Sequence, residues 1–228
     1  MVFVRPLSAA VTYVAAGAVA GNAAAITPAL PAGILTNDIL LLSLETANQV
    51  ISIATPNGGT WTEVTNSPQG TGTTALGTRL TVFWSRYNGT QTAPITSDSG
   101  NHQIGRIIAI RGAIASGNPW DVTAGSVEST SDTSGAIPGA TTTVGNILVV
   151  AAIATDLPDA TGTANFSAWA NSNLTNVNER TDDTDNAGNG GGLGIATGVK
   201  VTAGAYGDTT VTVGTSAVKG MMSIAIKP

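Results

Sequence analysis

The chain has 228 residues, a formal net charge of −5 and no cysteine. Its acidic balance provides no basic surface for nucleic acid or an anionic membrane, so we expect neither as a partner. The absence of cysteine excludes disulfides, thiolate metal sites and a cysteine nucleophile, while a hydrophobic fraction of 42% is typical of a folded domain.

The first 25 residues are rich in alanine, valine and glycine. They resemble a secretory signal only in outline, because Ser8, Thr12 and Gly17 interrupt what would have to be a continuous apolar core. Alanine favours a helix, but the valines and glycines of this stretch oppose one. We therefore predict that residues 1–25 are an arm followed by a first strand, without a transmembrane helix. We expect the apolar arm to pack against a neighbouring subunit.

Six later segments have the composition of β-strands and are bounded by turn residues. No segment has a long amphipathic helical period, so the chain is predicted to be all-β. The first and fourth segments are apolar almost without interruption, which indicates strands that are covered on both faces. In chain order the six are Asp38–Glu45, Thr78–Tyr87, Ile104–Arg111, Asn146–Ala154, Asp208–Val213 and Gly220–Lys227.

The two halves of the chain echo one another in sequence. Three matches recur in the same order, and the offset grows within the second half; chance similarity between β-strands is the alternative explanation. We predict one β-sandwich of jelly-roll type over residues 26–228, made from two internally duplicated halves, about 26–117 and 118–228. Two small sandwiches packed together are the alternative. The matches are Asp38–Leu42 with Asn146–Val150, Trp61 with Trp169, and Ile108–Arg111 with Ile224–Lys227, while Thr81–Arg86 stands opposite Ile195–Lys200.

The extra residues of the second half include Thr181–Gly192, an acidic and glycine-rich segment. Insertions are best tolerated in surface loops, so we predict an exposed, mobile loop. Asp182, Asp183 and Asp185 form the only acidic cluster of the sequence, and calcium is the alternative reading. Ala187 occupies the fifth position of a calcium loop and no glutamate stands at the twelfth, so we predict a solvated loop and no metal site.

Catalytic chemistry has little to draw on in this sequence. His102 is the only histidine, and the sequence Ser99-Gly100-Asn101-His102 before a strand predicts a solvated turn residue, not a general base. One histidine and no cysteine leave no zinc site. We therefore predict no catalytic residue, no cofactor and no enzymatic activity. The glutamates that a glycosidase would have to pair are scattered along the chain: Glu45, Glu63, Glu128 and Glu179.

The tryptophans are candidates for a contact surface or for the core. The equivalent placement of Trp61 and Trp169 favours two core residues. Trp84 alternates with Phe83 along one strand, so one of the two is expected to face outward, and Trp84 is the best single candidate for an exposed contact. The candidate contact surface is made of Phe83, Trp84, Trp120, Asp182, Asp183 and Asp185.

Five stretches of the sequence form a recognisable set: Pro31–Gly33 before Asn37–Leu41, Thr60–Val64, Val82–Tyr87, Ile108–Gly112 and Asn118–Asp121. Together they resemble β-sandwich structural proteins of tailed-bacteriophage virions. The resemblance spans nearly the whole chain and implies a virion protein, such as a capsid decoration or cement protein, that binds the major capsid protein or neighbouring copies as a homo-oligomer or within a lattice. A tail or fibre component that binds a host receptor or glycan is the alternative, and a polysaccharide depolymerase is a third.

Overall fold

The computed structural model describes residues 10–56, 58–71, 77–156 and 164–228. All regular secondary structure within these ranges is β-strand, and no described residue is helical, so the prediction of an all-β fold is confirmed. The first half contributes β1 (Thr12–Ala16), β2 (Ala20–Asn22), β3 (Ile39–Thr46), β4 (Ser52–Ala54), β5 (Thr62–Glu63), β6 (Gln69–Gly70), β7 (Arg79–Arg86), β8 (Ile95–Ser97) and β9 (Gln103–Arg111). The second half contributes β10 (Trp120–Ile137), β11 (Thr141–Thr142), β12 (Ile147–Thr155), β13 (Phe166–Ala170), β14 (Thr175–Asp185), β15 (Gly191–Lys200), β16 (Gly204–Ala205) and β17 (Thr209–Ile226).

These strands form two large antiparallel sheets. The first has the order β1-β9-β3-β7-β5, with β2 also paired to β9 and β6 to β7. The second has the order β10-β17-β12-β15-β14, with β13 also paired to β17. Two short pairs, β4 with β8 and β11 with β16, lie outside the large sheets. Each large sheet is therefore made from one contiguous half of the chain.

The two sheets pack face to face around a shared core. β9 lies against β15, β3 against β12 and β7 against β17. Successive side chains of a strand point to opposite faces, so Leu41 and Val150 enter the shared core while Leu40 and Val149 point outward. The shared core draws on both halves, as shown by Ile39, Leu80, Val82, Ile108 and Ile110 from the first and Leu148, Ala152, Ile195, Met222 and Ile224 from the second.

The outer faces of both sheets are covered as well. Every residue of β3 and of β12 is buried, so the two continuous apolar runs are covered on both faces, as predicted. Over the first sheet lie Ile26, Leu30 and Ile34. Over the second lies the distal half of the β10–β17 ribbon, which folds back so that Val211 packs with Ile153 of β12. β10 and β17 are longer than the nine-residue β12. By folding back, their distal halves cover apolar residues of the second sheet.

Strands that carry the matches at Asp38–Leu42 and Ile108–Arg111 occupy equivalent places in the two sheets, whereas Trp61 and Trp169 do not: Trp61 precedes β5, which pairs with β7, and Trp169 lies in β13, which pairs with β17. β3 and β12 are central, β9 and β17 flank them on one side, and β7 and β15 flank them on the other. A duplicated half-sandwich would produce this shared order. Common descent of the halves remains a prediction.

The described part of the N-terminal arm belongs to the chain's own sandwich. β1 and β2 both pair with β9, and Val11 lies in the shared core. Residues 10–25 therefore use β9 of their own chain as a partner, and packing on a neighbouring subunit stays a prediction for the arm. Small residues of the arm permit its packing within the chain, because a side chain at Gly17 would collide with the carbonyl oxygen of Ala29. No described residue belongs to a helix that could span a membrane.

Candidate functional site

The only histidine lies between the two sheets. His102 immediately precedes β9 and is fully buried, so the prediction of a solvated turn residue is wrong. Its Nε2 lies 2.7 Å from Oε2 of Glu45, and its Nδ1 lies 2.7 Å from the carbonyl oxygen of Ala187. A carbonyl only accepts hydrogen bonds, so Nδ1 carries a hydrogen. The 2.7 Å contact between Nε2 and Oε2 therefore requires a proton between these two atoms.

Both sheets contribute to this cluster. Glu45 belongs to β3, and its Oε1 accepts a hydrogen bond of 2.9 Å from Oγ1 of Thr78. From the second sheet, Asp185 places Oδ1 3.8 Å from Nδ1 of His102. Gly191 approaches so closely that an added Cβ would collide with Oε2 of Glu45. The cluster is thus a polar clamp that joins one end of the first sheet to the β14–β15 turn.

Burial and pairing shift both titrations. Burial raises the pKa of Glu45 to about 7, although the hydrogen bond and the charge of His102 oppose that rise. For His102, burial lowers the pKa, but the hydrogen bond and the charge of Glu45 raise it, and the net direction is upward. The two groups share one proton and therefore titrate as a unit.

We expect the free energy of unfolding to fall as the pH rises from 6 to 9. The native pKa of His102 lies above its ordinary value of 6.5, so its contribution is complete below pH 6.5 and is lost as the pH passes the native pKa. Glu45 acts in the same direction, because its native pKa of about 7 exceeds the ordinary 4.5. The chain has no other histidine and no cysteine, so no second side chain whose ordinary pKa lies near 6.5 or 8.5 contributes in this range. Urea unfolding at each pH measures the slope.

Glu45→Gln is the matched variant for this pH dependence. The glutamine amide can accept from Thr78 and donate to Nε2 of neutral His102, so the contacts remain while the shared proton no longer titrates. We expect the stability of E45Q to be nearly flat between pH 6.5 and 9. A slope equal to that of the unmodified protein would show that other groups cause it.

The segment predicted as an exposed acidic loop has a different structure. Thr181–Gly192 comprises the end of β14, a turn and the start of β15, so an exposed loop is wrong. Asp183 is 9% exposed, and both its carboxylate oxygens accept from Nη1 of Arg106 on β9, at 2.7 and 2.8 Å. Asp182 accepts instead from the backbone of Asn165 and Phe166. These partners come from distant parts of the chain, which sequence spacing does not reveal.

The three aspartates do not converge on one point. Asp183 turns towards Arg106 and Asp185 towards His102, whereas Asp182 serves β13 on the far side of its strand. Within the described ranges, no group of three or more His, Asp or Glu side chains is placed to hold a metal ion. The carboxylates of the three aspartates therefore do not form the ligand set that a calcium loop would need.

A second buried charge holds the ribbon of β10 and β17. The Nζ of Lys219, which is fully buried, donates to Glu128 at 3.1 Å, to Asp132 at 2.9 Å and to the carbonyl oxygen of Ala217 at 3.0 Å. An amine this close to two carboxyl groups raises the question of an amide crosslink. Condensation of Lys219 with one of these acids would need that acid to be protonated and shielded from water. Asp132 is 44% exposed, and the hydrogen bond from Lys219 lowers its pKa to about 2. The group is therefore an ion pair at the register shift between Glu128 and Asp132.

The predicted aromatic contact residues belong to the interior. Trp84 packs edge to face on Trp120, with ring centres 5.5 Å apart, against the shared core. Phe83 points the other way but is covered in the outer cluster with Trp61. The prediction that Trp84 faces outward is wrong, because the sheet is covered on both faces and alternation does not separate a wet face from a dry one. Trp169 is partly buried over the second sheet.

One feature that the sequence analysis missed is an open cleft between the edge strands β1 and β14. Arg180 of β14 lies over the ring of Tyr13 of β1, with 4.3 Å from the guanidinium carbon to the ring centre. The two residues are far apart in sequence, and neither stands in a recognisable motif.

Comparisons with protein families, with curated proteins and with solved structures give no match for this chain.

Proposed function

We propose that this chain is a non-catalytic structural protein of a tailed-bacteriophage virion and that it decorates or cements the head surface. The observation that carries the proposal is that three titratable groups of the chain are buried and paired within the fold. His102, Glu45 and Lys219 are fully buried, and each is paired within the fold. A general base or nucleophile must reach its substrate, and these groups cannot do so without unfolding. The sequence resemblance supplies the virion assignment.

The exposed surface suits repeated contacts in a lattice. Along β10 the exposed residues include five hydroxyl side chains on either side of the ion-paired Asp132, and the chain has few charges overall. Hydroxyl groups both donate and accept hydrogen bonds, so such a strand can satisfy the backbone of a neighbouring protein. Many modest contacts, repeated over a lattice, raise the occupancy of each. The five residues are Ser129, Thr130, Ser131, Thr133 and Ser134.

Binding to heads that lack the protein tests the proposal. Purified chain is mixed with expanded, undecorated capsids and with separated tails of the same phage, and each is sedimented. We expect saturable binding to the capsids with a fixed number of copies per capsomer, and none to the tails. Binding to the tails alone would overturn the head assignment in favour of a tail or fibre role. Binding to neither would overturn the virion assignment.

A further inference from the structure

The cleft between β1 and β14 opens the side of the sandwich to solvent. Among the described strands, β1 pairs only with β9 and β14 only with β15, so each has one edge without a strand partner. The cavity between them has a volume of about 240 Å³. Both sheets supply its walls, which include Val11, Tyr13, Leu148, Arg180, Thr197 and Val199.

Arg180 is fixed in this cleft without a carboxylate. Its Nε donates to Oγ1 of Thr197 at 2.8 Å, and its guanidinium plane rests on Tyr13. A guanidinium has five N–H donors, and the described contacts of Arg180 use one of them. The terminal nitrogens form the fork that binds a carboxylate in a bidentate manner.

Three other cations of the sandwich have an acidic partner. Arg106, Arg111 and Lys219 each have a carboxylate within 3.1 Å, whereas Arg180, like Arg79, Arg86, Lys200 and Lys227, has no described carboxylate within 4.0 Å. The chain carries 14 acidic residues and only nine Lys and Arg, so acids are not in short supply. A held cation with a free fork beside apolar walls is suited to a carboxylate next to an apolar group.

We propose that the Arg180 cleft binds an extended segment of a partner protein, with an acidic side chain on Arg180 and an apolar side chain in the cavity. Ligand pockets that enclose small molecules measure about 300–1,000 Å³, so this smaller, open cavity suits one or two side chains better. The unpaired edge of β1 can add backbone hydrogen bonds to an extended segment, which a free carboxylate cannot use. The inference rests on the proposed function in taking the partner to be a neighbouring virion protein.

Short peptides test the cleft independently of any capsid. In a strand, residues two apart point to the same face, so the probe is acetyl-TETVT-amide, in which Glu and Val share a face. Its matched control is acetyl-TQTVT-amide, and hexanoate represents a free carboxylate. Amide resonances of the full-length protein are followed during titration, for the unmodified chain and for Arg180→Gln. Lys200→Gln, on the neighbouring strand β15, removes the same charge outside the cavity lining.

We expect the Glu peptide to shift resonances of β1 and β14 in a saturable manner. The Gln peptide and the R180Q variant should each weaken binding by about tenfold or more, because each removes a charge-assisted hydrogen-bonded pair. K200Q should bind as the unmodified chain does. Equal binding by R180Q, or hexanoate binding as tightly as the peptide, would overturn the proposal. Peptide binding in a protein that ignores capsids would refute the head assignment and leave the cleft in place.

Discussion

Replacing His102 with alanine is expected to lower the free energy of unfolding at pH 7 by about 3–5 kcal/mol. The substitution removes a fully buried ring and leaves the Glu45 carboxyl group in the interior without its nearest partner. The carbonyl oxygen of Ala187 also loses its side-chain donor. Urea or guanidinium unfolding, followed by tryptophan fluorescence, measures the change.

Acid should relieve the unpaired carboxyl group in H102A. Without His102, the Glu45 carboxyl group escapes its buried charge by taking up a proton, which is easier at pH 5 than at pH 8. The double variant H102A/E45Q should therefore be more stable than H102A alone at pH 8, and the difference between the two variants should shrink as the pH is lowered. A difference that is constant with pH would mean that the lost packing, and not the unpaired carboxyl group, sets the cost.

Lys219→Ala is expected to lower the free energy of unfolding by about 2–4 kcal/mol, whereas Lys219→Met should stay within about 1 kcal/mol of the unmodified chain. Alanine leaves a cavity where the long side chain of Lys219 lies beside the register shift between Glu128 and Asp132. Methionine fills most of that volume and removes the cost of burying a charge. Glu128 and Asp132 are partly exposed and can turn to solvent when the amine is gone.

Comparing these two variants separates packing from charge. If K219M is as unstable as K219A, the ion pair itself holds the register shift between Glu128 and Asp132. Hydrogen exchange along the distal half of β17, which packs on Ile153, supplies the local readout. We expect faster exchange there in K219A and little change in K219M.

Continuous apolar runs made the central strands predictable. β3 and β12 lie close to the predicted segments, because a strand covered on both faces must be apolar throughout. β10 and β14 were not predicted. Their Ser, Asn and Asp residues have low strand propensity or suggest turns, and it is pairing with β17 and β15 that makes them strands.

Polar partners across the sandwich could not be predicted from sequence. His102 and Asp185 meet because β9 lies against the β14–β15 hairpin, a contact between the two sheets. The turn-like sequence before His102 correctly marks the start of a strand, but it carries no information about what covers that turn. The same holds for Arg180 and Tyr13, which two separate edge strands bring together.

The contiguity of each sheet has a consequence for synthesis on the ribosome. Since no described strand of one half pairs within the other large sheet, the first half can complete its backbone hydrogen bonds before the second half is translated. In both halves the strand made last, β9 or β17, inserts beside the central strand. Each sheet therefore closes only when its own half is finished, and the inner face of the first stays uncovered until β12, β15 and β17 emerge.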